Sequence, residues 1–206
     1  MADYVSQLVA AYPLVSEQVS KQQIEVILRE LTKVIGQEIP GAIVEFGCYI
    51  GTTSLFIRRL LNELDPDRAF HVYDSFVGLP PKSPQDASRA GEQFVAGELA
   101  VSKKQFIQTF QKAHLQAPII HKGWFNELTG TDVPDTIAFA FLDGDFYASI
   151  RDSLKLVVPR MQPGGIIVVD DYAREALPGA AKAAQEYFST DTIRVVHNLG
   201  VIHLSS

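Results

Sequence analysis

The chain has 206 residues, a formal charge of −6, 47% hydrophobic residues and a single cysteine, Cys48. This length predicts one domain with its own core, and the hydrophobic fraction excludes a disordered chain. The acidic balance argues against nucleic acid or an anionic membrane as the main partner, because both select clustered Lys and Arg. A lone cysteine excludes an intramolecular disulfide, and the sequence has neither an apolar run of about 20 residues nor the blocks of a signal peptide, so we expect a soluble, cytoplasmic protein.

Hydrophobic periodicity predicts two amphipathic helices within residues 1–38, which would form an N-terminal helical cap. They cover 3–12 and 20–36, with Ser20 as the N-cap candidate. Downstream, short apolar runs alternate with helical patterns. The predicted strands are 42–46, 70–73, 118–121, 137–142 and 165–169, and the predicted helices are 51–64, 102–115, 147–158 and 175–188. This alternation predicts an α/β fold with a parallel sheet and helices on both faces.

The C-terminal residues predict a hairpin, which would add an antiparallel strand at one side of the sheet. Its strands are 192–197 and 200–204, joined at residues 198–200 because Asn and Gly tolerate positive φ. A longer connection, residues 75–101, is rich in Gly and Pro and leaves the carboxyl end of the second predicted strand. Loops of this length are usually functional, so we expect it to cover a site there.

The first strand ends in a glycine turn, at the edge of the sheet where α/β folds bind ligands. Gly47 allows the backbone to approach a ligand, and Gly51 opens the next helix, whose first N–H groups are free. The middle glycine of the dinucleotide motif G-x-G-x-x-G is absent, which disfavours a pyrophosphate ligand. Glu45 lies inside the strand, where a buried carboxylate needs a ligand cation, an amine or a donor of the protein itself.

The second and third strands end in residues suited to a nucleoside. Asp74 follows strand 70–73, and it either accepts two hydrogen bonds from ribose hydroxyls or is an ordinary loop residue. Gly123, Trp124 and Phe125 follow strand 118–121. Trp124 is the sole tryptophan, and it either contacts an adenine or packs in the core.

Acidic residues follow the fourth and fifth predicted strands. Asp143 and Asp145 come directly after the fourth strand, and Asp170 and Asp171 follow the fifth. Adjacent strands would bring them together, and like charges repel unless a cation neutralises them. Oxygen ligands favour Mg²⁺, or Ca²⁺ or Mn²⁺. We expect Asp143, Asp170 and Asp171 to bind this cation, whereas Asp145 could cap the helix that begins near Tyr147.

The histidines and the cysteine carry less information about function. His71 and His121 lie within predicted strands and are interpreted as core residues. His197 and His203 lie in the C-terminal strands, where either could approach the site. Cys48 lies at a helix N-terminus without an identifiable base and is interpreted as a packing residue.

Six motifs, taken in order, resemble the macrocin O-methyltransferase family. They are Val44–Gly47 with Gly51, Tyr73–Pro80, Gly123–Phe125, Leu142–Tyr147, Pro163–Gly165 and Asp170–Tyr172. The resemblance covers about residues 40–190. It implies a Rossmann-like class I methyltransferase fold, with a seven-stranded, mostly parallel sheet in the order 3-2-1-4-5-7-6.

The resemblance also implies S-adenosylmethionine and a divalent cation, usually Mg²⁺, as ligands. The cofactor-binding residues expected from it are Glu45, Gly47, Gly51, Thr52, Ser54, Asp74, Ser75, Gly123, Trp124, Phe125 and Asp143. The implied activity is methylation of a hydroxyl of a small molecule or natural-product sugar, with Asp143 as catalytic residue. A water, Asp143 or a nearby histidine would be the base. A homodimer is expected, and the two N-terminal helices would either pack on their own domain or form its interface.

Two other functions stay open on the sequence. A nicotinamide-dependent oxidoreductase would use a similar sheet, but the missing middle glycine counts against it. A non-catalytic accessory domain that has kept cofactor binding is the second alternative. The aspartate set argues against it, because a scaffold gains little from clustered like charges.

Overall fold

A seven-stranded sheet forms the centre of the chain, of which the structure, a computed structural model, describes residues 2–205. The strands are β1 (Ala42–Phe46), β2 (Phe70–Asp74), β3 (Ile119–Lys122), β4 (Ile137–Leu142), β5 (Met161–Val169), β6 (Ile193–Val196) and β7 (Leu199–His203). The helices are α1 (Ala2–Ala11), α2 (Lys21–Gly36), α3 (Thr52–Leu64), α4 (Lys103–Lys112), α5 (Tyr147–Val157) and α6 (Pro178–Gln185). The predicted α/β fold is confirmed.

The strand order is β3-β2-β1-β4-β5-β7-β6, which confirms the order implied by the family resemblance. β1 lies between β2 and β4, and the five strands from β3 to β5 are parallel. β7 is antiparallel to both β5 and β6. The chain reverses its direction of winding between β1 and β4, and parallel α/β sheets form their ligand crevice at such a point.

Helices cover both faces of the sheet. α1 to α4 pack with Ile43 and Phe139 in one hydrophobic cluster, and α5 and α6 pack with Val44 and Ala140 in the other. All residues of β1 and β4 are buried, because a parallel sheet covered on both faces has no solvated side. Glu45 is therefore an ionisable residue in the middle of an apolar layer.

The N-terminal helix α2 packs on its own domain. Ile24, Ile27, Leu28 and Leu31 are fully buried in the cluster on the first face. The helix begins with a capping box, in which the Ser20 side chain accepts a hydrogen bond from the N–H of Gln23, the third residue of the helix. Of the two arrangements that the sequence allows for these helices, α2 adopts packing against the sheet of the same chain.

Several boundaries differ from the sequence prediction. β5 begins at Met161 rather than at 165, α4 ends at Lys112 rather than at 115, and α6 ends at Gln185 rather than at 188. α6 begins at Pro178 rather than at 175, because proline is favoured at the first helical position. The hairpin turn lies at His197 and Asn198, whose φ values are 47° and 69°, rather than at 198–200. Positive φ at both positions is what a two-residue hairpin loop of type I′ needs. Gly200 belongs to β7 instead, where the ring of Tyr172 leaves no room for a Cβ atom.

Among the described residues, no helix has both the length and the apolar content that crossing a bilayer requires.

Candidate functional site

A cavity opens at the carboxyl edge of the sheet. Its walls come from the glycine turn after β1, the loop after β2, the residues after β3 and the acidic segments after β4 and β5. Of the residues predicted from the sequence, those that line it are Gly47, Asp74, Ser75, Trp124, Phe125, Asp143, Asp170 and Asp171. The predicted residues Glu45, Gly51, Thr52, Ser54 and Gly123 are not among the lining residues.

Gly47 lies where the ends of β1 and β4 approach each other. Its φ is 86°, and a Cβ atom at this position would overlap the backbone carbonyl oxygen of Asp143. The Gly47 N–H donates to the carbonyl of Tyr73 at 2.8 Å, and the Asp143 N–H donates to the carbonyl of Phe46 at 2.8 Å. The turn is therefore glycine both for its backbone conformation and for close packing.

Asp74 organises the glycine turn through backbone donors. The N–H groups of Cys48 and Tyr49 donate to its Oδ2 at 2.9 and 3.1 Å, and the Phe76 N–H donates to its Oδ1 at 2.7 Å. Three backbone bonds fix the carboxylate at the edge of the cavity. Such a fixed acceptor is suited to ribose hydroxyls.

Glu45 lies below the cavity and is 1% exposed. Its Oε2 accepts a hydrogen bond from Ser54 Oγ at 2.5 Å, so the protein itself supplies a donor. Burial raises the pKa of Glu45 to about 8, against the effect of the Ser54 bond, and the negative charge of Asp74 adds to the rise. Glu45 and Ser54 thus form a buried, largely uncharged pair at neutral pH.

Three carboxylates converge in the cavity. One oxygen from each of Asp143, Asp145 and Asp171 lies within 4.8 Å of the others. Asp170 lies beside them. Two donors fix its carboxylate, since Gln23 Nε2 and the Asp171 N–H donate to its Oδ1 at 3.0 and 2.8 Å. The sequence left open whether Asp145 caps a helix or joins the other carboxylates, and the structure places its carboxylate in this group.

The predicted cap is supplied from elsewhere in the chain. The Tyr147 N–H at the start of α5 donates to Asp86 Oδ1 at 2.7 Å, and Asp86 belongs to the long loop 75–101. Asp145 itself has a φ of 58°, and Asp171 has a φ of 53°. Aspartate tolerates this left-handed region better than most residues, and such conformations concentrate at functional sites.

The electrostatics of the aspartate group are those of crowded like charges. Burial, and then repulsion from the neighbouring carboxylates, raises the pKa of Asp143 and of Asp145 well above the usual range. Burial and Asp171 raise the pKa of Asp170 to about 7, and burial raises the pKa of Asp171 although Arg174 opposes it. A divalent cation would remove the repulsion that these shifts reflect.

Arg174 is a lining residue that the sequence analysis missed. Its Nη1 pairs with Asp171 Oδ1 at 3.1 Å, and its guanidinium lies 5.1 Å from the ring centre of Phe94 in the long loop. Its position three residues after Asp171 was a signal for this pair. Further lining residues that the sequence analysis did not assign to the site are Gln18, Tyr49, Gly78, Leu79, Pro80, Leu99, Gly144, Asp145 and Ser149.

The histidines of the described chain lie outside the lining. His71 Nδ1 and His121 Nε2 lie 3.0 Å apart in a half-buried stacked pair, and burial lowers the pKa of both. The expectation that His203 could approach the site is wrong. β7 runs away from the cavity, and His203 Nε2 lies 2.7 Å from Glu30 Oε2 on α2.

The carboxylate oxygens of the aspartate group are suitable ligands for a hard cation. Within residues 2–205, the carboxylates of Asp143 and Asp145 accept no hydrogen bond from the protein, although both line the cavity. Carboxylate oxygens close together and without protein donors are the ligands that Mg²⁺ and Ca²⁺ prefer. Asp171 completes the set, and Asp170 lies next to it.

The family model described as Macrocin-O-methyltransferase (TylF) matches residues 10–202. The chain belongs to the macrocin O-methyltransferase family. The match includes the glycine turn, the long loop and both acidic segments, so the family resemblance drawn from the six motifs is confirmed.

Two curated relatives are identical to this family member at about a third of the aligned positions. Demethyldecarbamoylnovobiocin O-methyltransferase of Streptomyces niveus is 32% identical over 174 residues, 81% of this chain and 65% of the relative. The 8-demethyl-8-(2,3-dimethoxy-alpha-L-rhamnosyl)-tetracenomycin-C 4'-O-methyltransferase of Streptomyces olivaceus is 31% identical over 175 residues, 82% of this chain and 67% of the relative. The chain thus spans about two thirds of the length of these relatives.

Solved structures share the fold. The O-methyltransferase NovP superposes with a TM-score of 0.82 at 23% identity, with 100% of both chains covered. CalS11, a calicheamicin methyltransferase, superposes with a TM-score of 0.74 at 19% identity, with 100% of this chain and 91% of that chain covered. The predicted class I methyltransferase architecture is confirmed.

Proposed function

We propose that this family member is an S-adenosylmethionine-dependent O-methyltransferase that methylates a hydroxyl of a natural-product sugar with the help of a divalent cation. The observation that carries the proposal is the opening of Asp74 and the aspartate group into one cavity at the carboxyl edge of the sheet. A nucleoside-binding edge and a cation-binding edge then meet at one point, which is what methyl transfer to a coordinated hydroxyl requires.

The cofactor half of the proposal rests on the glycine turn and its neighbours. Gly47 would allow the backbone to approach the methionine part, Asp74 would accept hydrogen bonds from the ribose hydroxyls, and Trp124 would lie against the adenine. All three line the cavity. Gly51, Thr52 and Ser54 do not line the cavity, so they would support the glycine turn from the start of α3. Thr52 Oγ1 lies 2.8 Å from Ser16 Oγ, and Ser54 Oγ donates to Glu45.

The acceptor half rests on the long loop and the N-terminal segment. Leu79, Pro80 and Leu99 of loop 75–101, and Gln18 between α1 and α2, line the cavity. They would surround the acceptor. The sugar is suggested by the relative from Streptomyces olivaceus, whose name contains a rhamnosyl group.

Asp143, Asp145 and Asp171 would hold the cation, with Asp170 beside them. When bound, the cation would lower the pKa of the acceptor hydroxyl and fix its orientation. Asp143 lies next to Gly47, so one segment contributes to both halves of the site. No histidine of the described chain lines the cavity, so we assign proton acceptance to Asp143 or to a water.

Calorimetry with S-adenosylhomocysteine, with and without Mg²⁺, tests this function. We expect binding that tightens when Mg²⁺ is present, and no comparable binding of NADH. Binding without any effect of Mg²⁺ would favour the accessory domain, and binding of NADH alone would favour the oxidoreductase. If neither S-adenosylhomocysteine nor NADH binds, the proposal is overturned.

The cation requirement has a separate test. With an acceptor sugar and S-adenosylmethionine, methyl transfer should fall to background in excess EDTA and recover when Mg²⁺ is restored. An undiminished rate in EDTA would leave the methyltransferase but remove the cation from its mechanism.

A further inference from the structure

Arg174 is the one basic side chain in the wall of the cavity. Of the described residues that line it, five are aspartates and only Arg174 is a Lys or Arg. Its Nη1 lies 3.1 Å from Asp171 Oδ1. Within residues 2–205, no other carboxylate of the aspartate group forms an ion pair. A single positive charge is therefore placed on one particular carboxylate of a crowded acidic site.

Two partners hold the Arg174 guanidinium in this place. On one side it pairs with Asp171, which is buried, and on the other it lies 5.1 Å from the ring centre of Phe94 in the long loop. The next residue of the chain is fastened to the same loop, because Ser88 Oγ donates to the Glu175 carbonyl at 2.8 Å. The positive charge of Arg174 thus has a fixed position in the cavity wall.

The position of this charge matters for any cation that Asp171 binds. Arg174 and a divalent cation are attracted to the same negative charge, and two positive charges on one carboxylate repel each other. The Arg174 side chain is 38% exposed, so water screens part of that repulsion without removing it. Arg174 therefore stabilises Asp171 in the absence of a cation and opposes cation binding.

We propose that Arg174 is an internal counter-ion of the cation site: it neutralises Asp171 while no cation is bound, and it lowers the affinity of the site for a cation. The inference rests on the proposed function, because it assigns a role in cation binding. It adds a residue that regulates the strength of that binding and limits the repulsion in the cation-free chain.

The alternative is an ordinary ion pair in a turn, since Asp171 and Arg174 are three positions apart. Such a pair contributes a little to stability and has no bearing on cation affinity. Its loss would cost the same stability with and without a cation. Loss of a counter-ion would cost stability only in the cation-free chain, because the cation takes over its role.

Mn²⁺ affinity, measured by electron paramagnetic resonance on the full chain, tests the first part of the inference. Arg174→Gln should tighten Mn²⁺ binding about 10-fold, because a neighbouring positive charge is removed. Arg174→Lys keeps the charge and should stay within about threefold of the unsubstituted chain. Mn²⁺ binding by Arg174→Gln that is unchanged or weaker would overturn the inference.

Arg151→Gln is the matched control for this measurement. It removes the same charge from an ion pair with Asp152, which lies on α5 and outside the cavity lining. The Mn²⁺ affinity of this variant should equal that of the unsubstituted chain, because salt screens distant surface charges. A gain in Arg151→Gln as large as in Arg174→Gln would show a general charge effect and overturn the inference.

Thermal melting separates a counter-ion from a merely structural pair. In EDTA, Arg174→Gln should lower the Tm by about 2–4 °C, since Asp171 loses its only charged partner. In saturating Mn²⁺, the variant and the unsubstituted chain should melt at the same temperature. An equal loss of Tm in both conditions would overturn the inference.

The same titrations keep this inference distinct from the proposed function. Mn²⁺ binding by the unsubstituted chain without a gain in Arg174→Gln would overturn the inference and leave the cation in place. Binding by Arg174→Gln alone would support the inference and remove the cation from the function of the unsubstituted chain. Absence of binding by both proteins would overturn the two together.

Discussion

Gly47 shows at the scale of a residue how closely two strand ends approach each other beside the site. The sequence explains this glycine by access of a ligand to the backbone, whereas the structure adds overlap with the Asp143 carbonyl as a second reason. A residue beside a binding site therefore also supports the fold. Substitutions here need a control for folding before any loss of binding is interpreted.

Gly47→Ala should lower the free energy of unfolding by about 3 kcal/mol or more, because positive φ and overlap with backbone both oppose a Cβ atom. Gly97 is a matched control, since it has the same φ of 86° but no atom within 4 Å of its would-be Cβ. Gly97→Ala should cost about 1–2 kcal/mol, the conformational part alone. Urea denaturation measures both, and equal losses would contradict the role of the Asp143 carbonyl.

Glu45 predicts a pH dependence of stability at the same scale. Its pKa of about 8 in the folded chain exceeds the ordinary value near 4.3 of an unfolded chain. The stabilisation that it contributes is fully present below the unfolded pKa and is lost as pH rises through about 8. Glu45→Gln, which stays neutral, should therefore gain stability relative to the unsubstituted chain between pH 5 and 8, by up to about 1.4 kcal/mol per pH unit.

Denaturation profiles of the two proteins over that pH range measure this difference. The same substitution at the exposed Glu63 is the control and should leave the difference close to zero. Parallel profiles for Glu45→Gln and the unsubstituted chain would show that the buried carboxyl does not titrate in this range.

At the scale of elements, α2 is connected to the aspartate group by one side chain. Gln23 Nε2 donates to Asp170 Oδ1 at 3.0 Å, and its Oε1 accepts from Ser20 at the start of the helix. The helix that covers one face of the sheet thereby fixes a carboxylate at the sheet's edge. Periodicity identifies α2 as a helix, but this contact spans 147 positions and has no local signal.

Gln23→Ala should weaken Mg²⁺ binding about 10-fold, because Asp170 loses the donor that orients it. Ser20→Ala is the matched control, since it removes the helix cap but not the contact with Asp170. It should lower stability by about 1 kcal/mol and leave Mg²⁺ affinity unchanged. Calorimetric titration together with thermal melting tests both, and a Mg²⁺ affinity unaffected by Gln23→Ala would contradict the connection.

At the scale of the whole molecule, the aspartate group opposes folding when no cation is bound. Four buried or half-buried carboxylates with raised pKa values repel one another, so the site should cost stability that cation binding restores. Stability and cation binding are thus expected to respond in opposite directions to the same substitution.

Asp143→Asn should raise the stability of the protein in EDTA by about 1–2 kcal/mol, because one repelling charge is removed. The same variant should lose the stabilisation by Mg²⁺, which for the unsubstituted chain is about 2.7 kcal/mol at 100 times the dissociation constant. Thermal melting in EDTA and in Mg²⁺ provides the four values required. A variant less stable than the unsubstituted chain in EDTA would contradict the repulsion.

The homodimer stays a prediction at this scale. The apolar face of α2 is used within the chain, so an interface would have to involve other surfaces. Tyr12 and Val15, between α1 and α2, are each 40% exposed. The mass of the full chain in solution, and its change on Val15→Glu, tests whether this segment is part of an interface.

The sequence by itself determined the α/β class, nearly all strand and helix positions, the C-terminal hairpin and the strand ends that carry the site. These properties follow from local signals, namely apolar runs, helical periodicity, and Gly, Pro and Asp at the ends of elements. The strand order required the family resemblance, because local patterns do not specify which strands are neighbours.

Only the tertiary structure decided which carboxylates share a position. The sequence allowed Asp145 to cap α5, and local chemistry favours such a cap. Asp86, remote in sequence, binds the Tyr147 N–H instead, and Gln23 holds Asp170 from another helix. A hydrogen-bond donor goes to whichever acceptor the folded chain brings to it, and for acceptors far apart in sequence that choice depends on packing rather than on spacing.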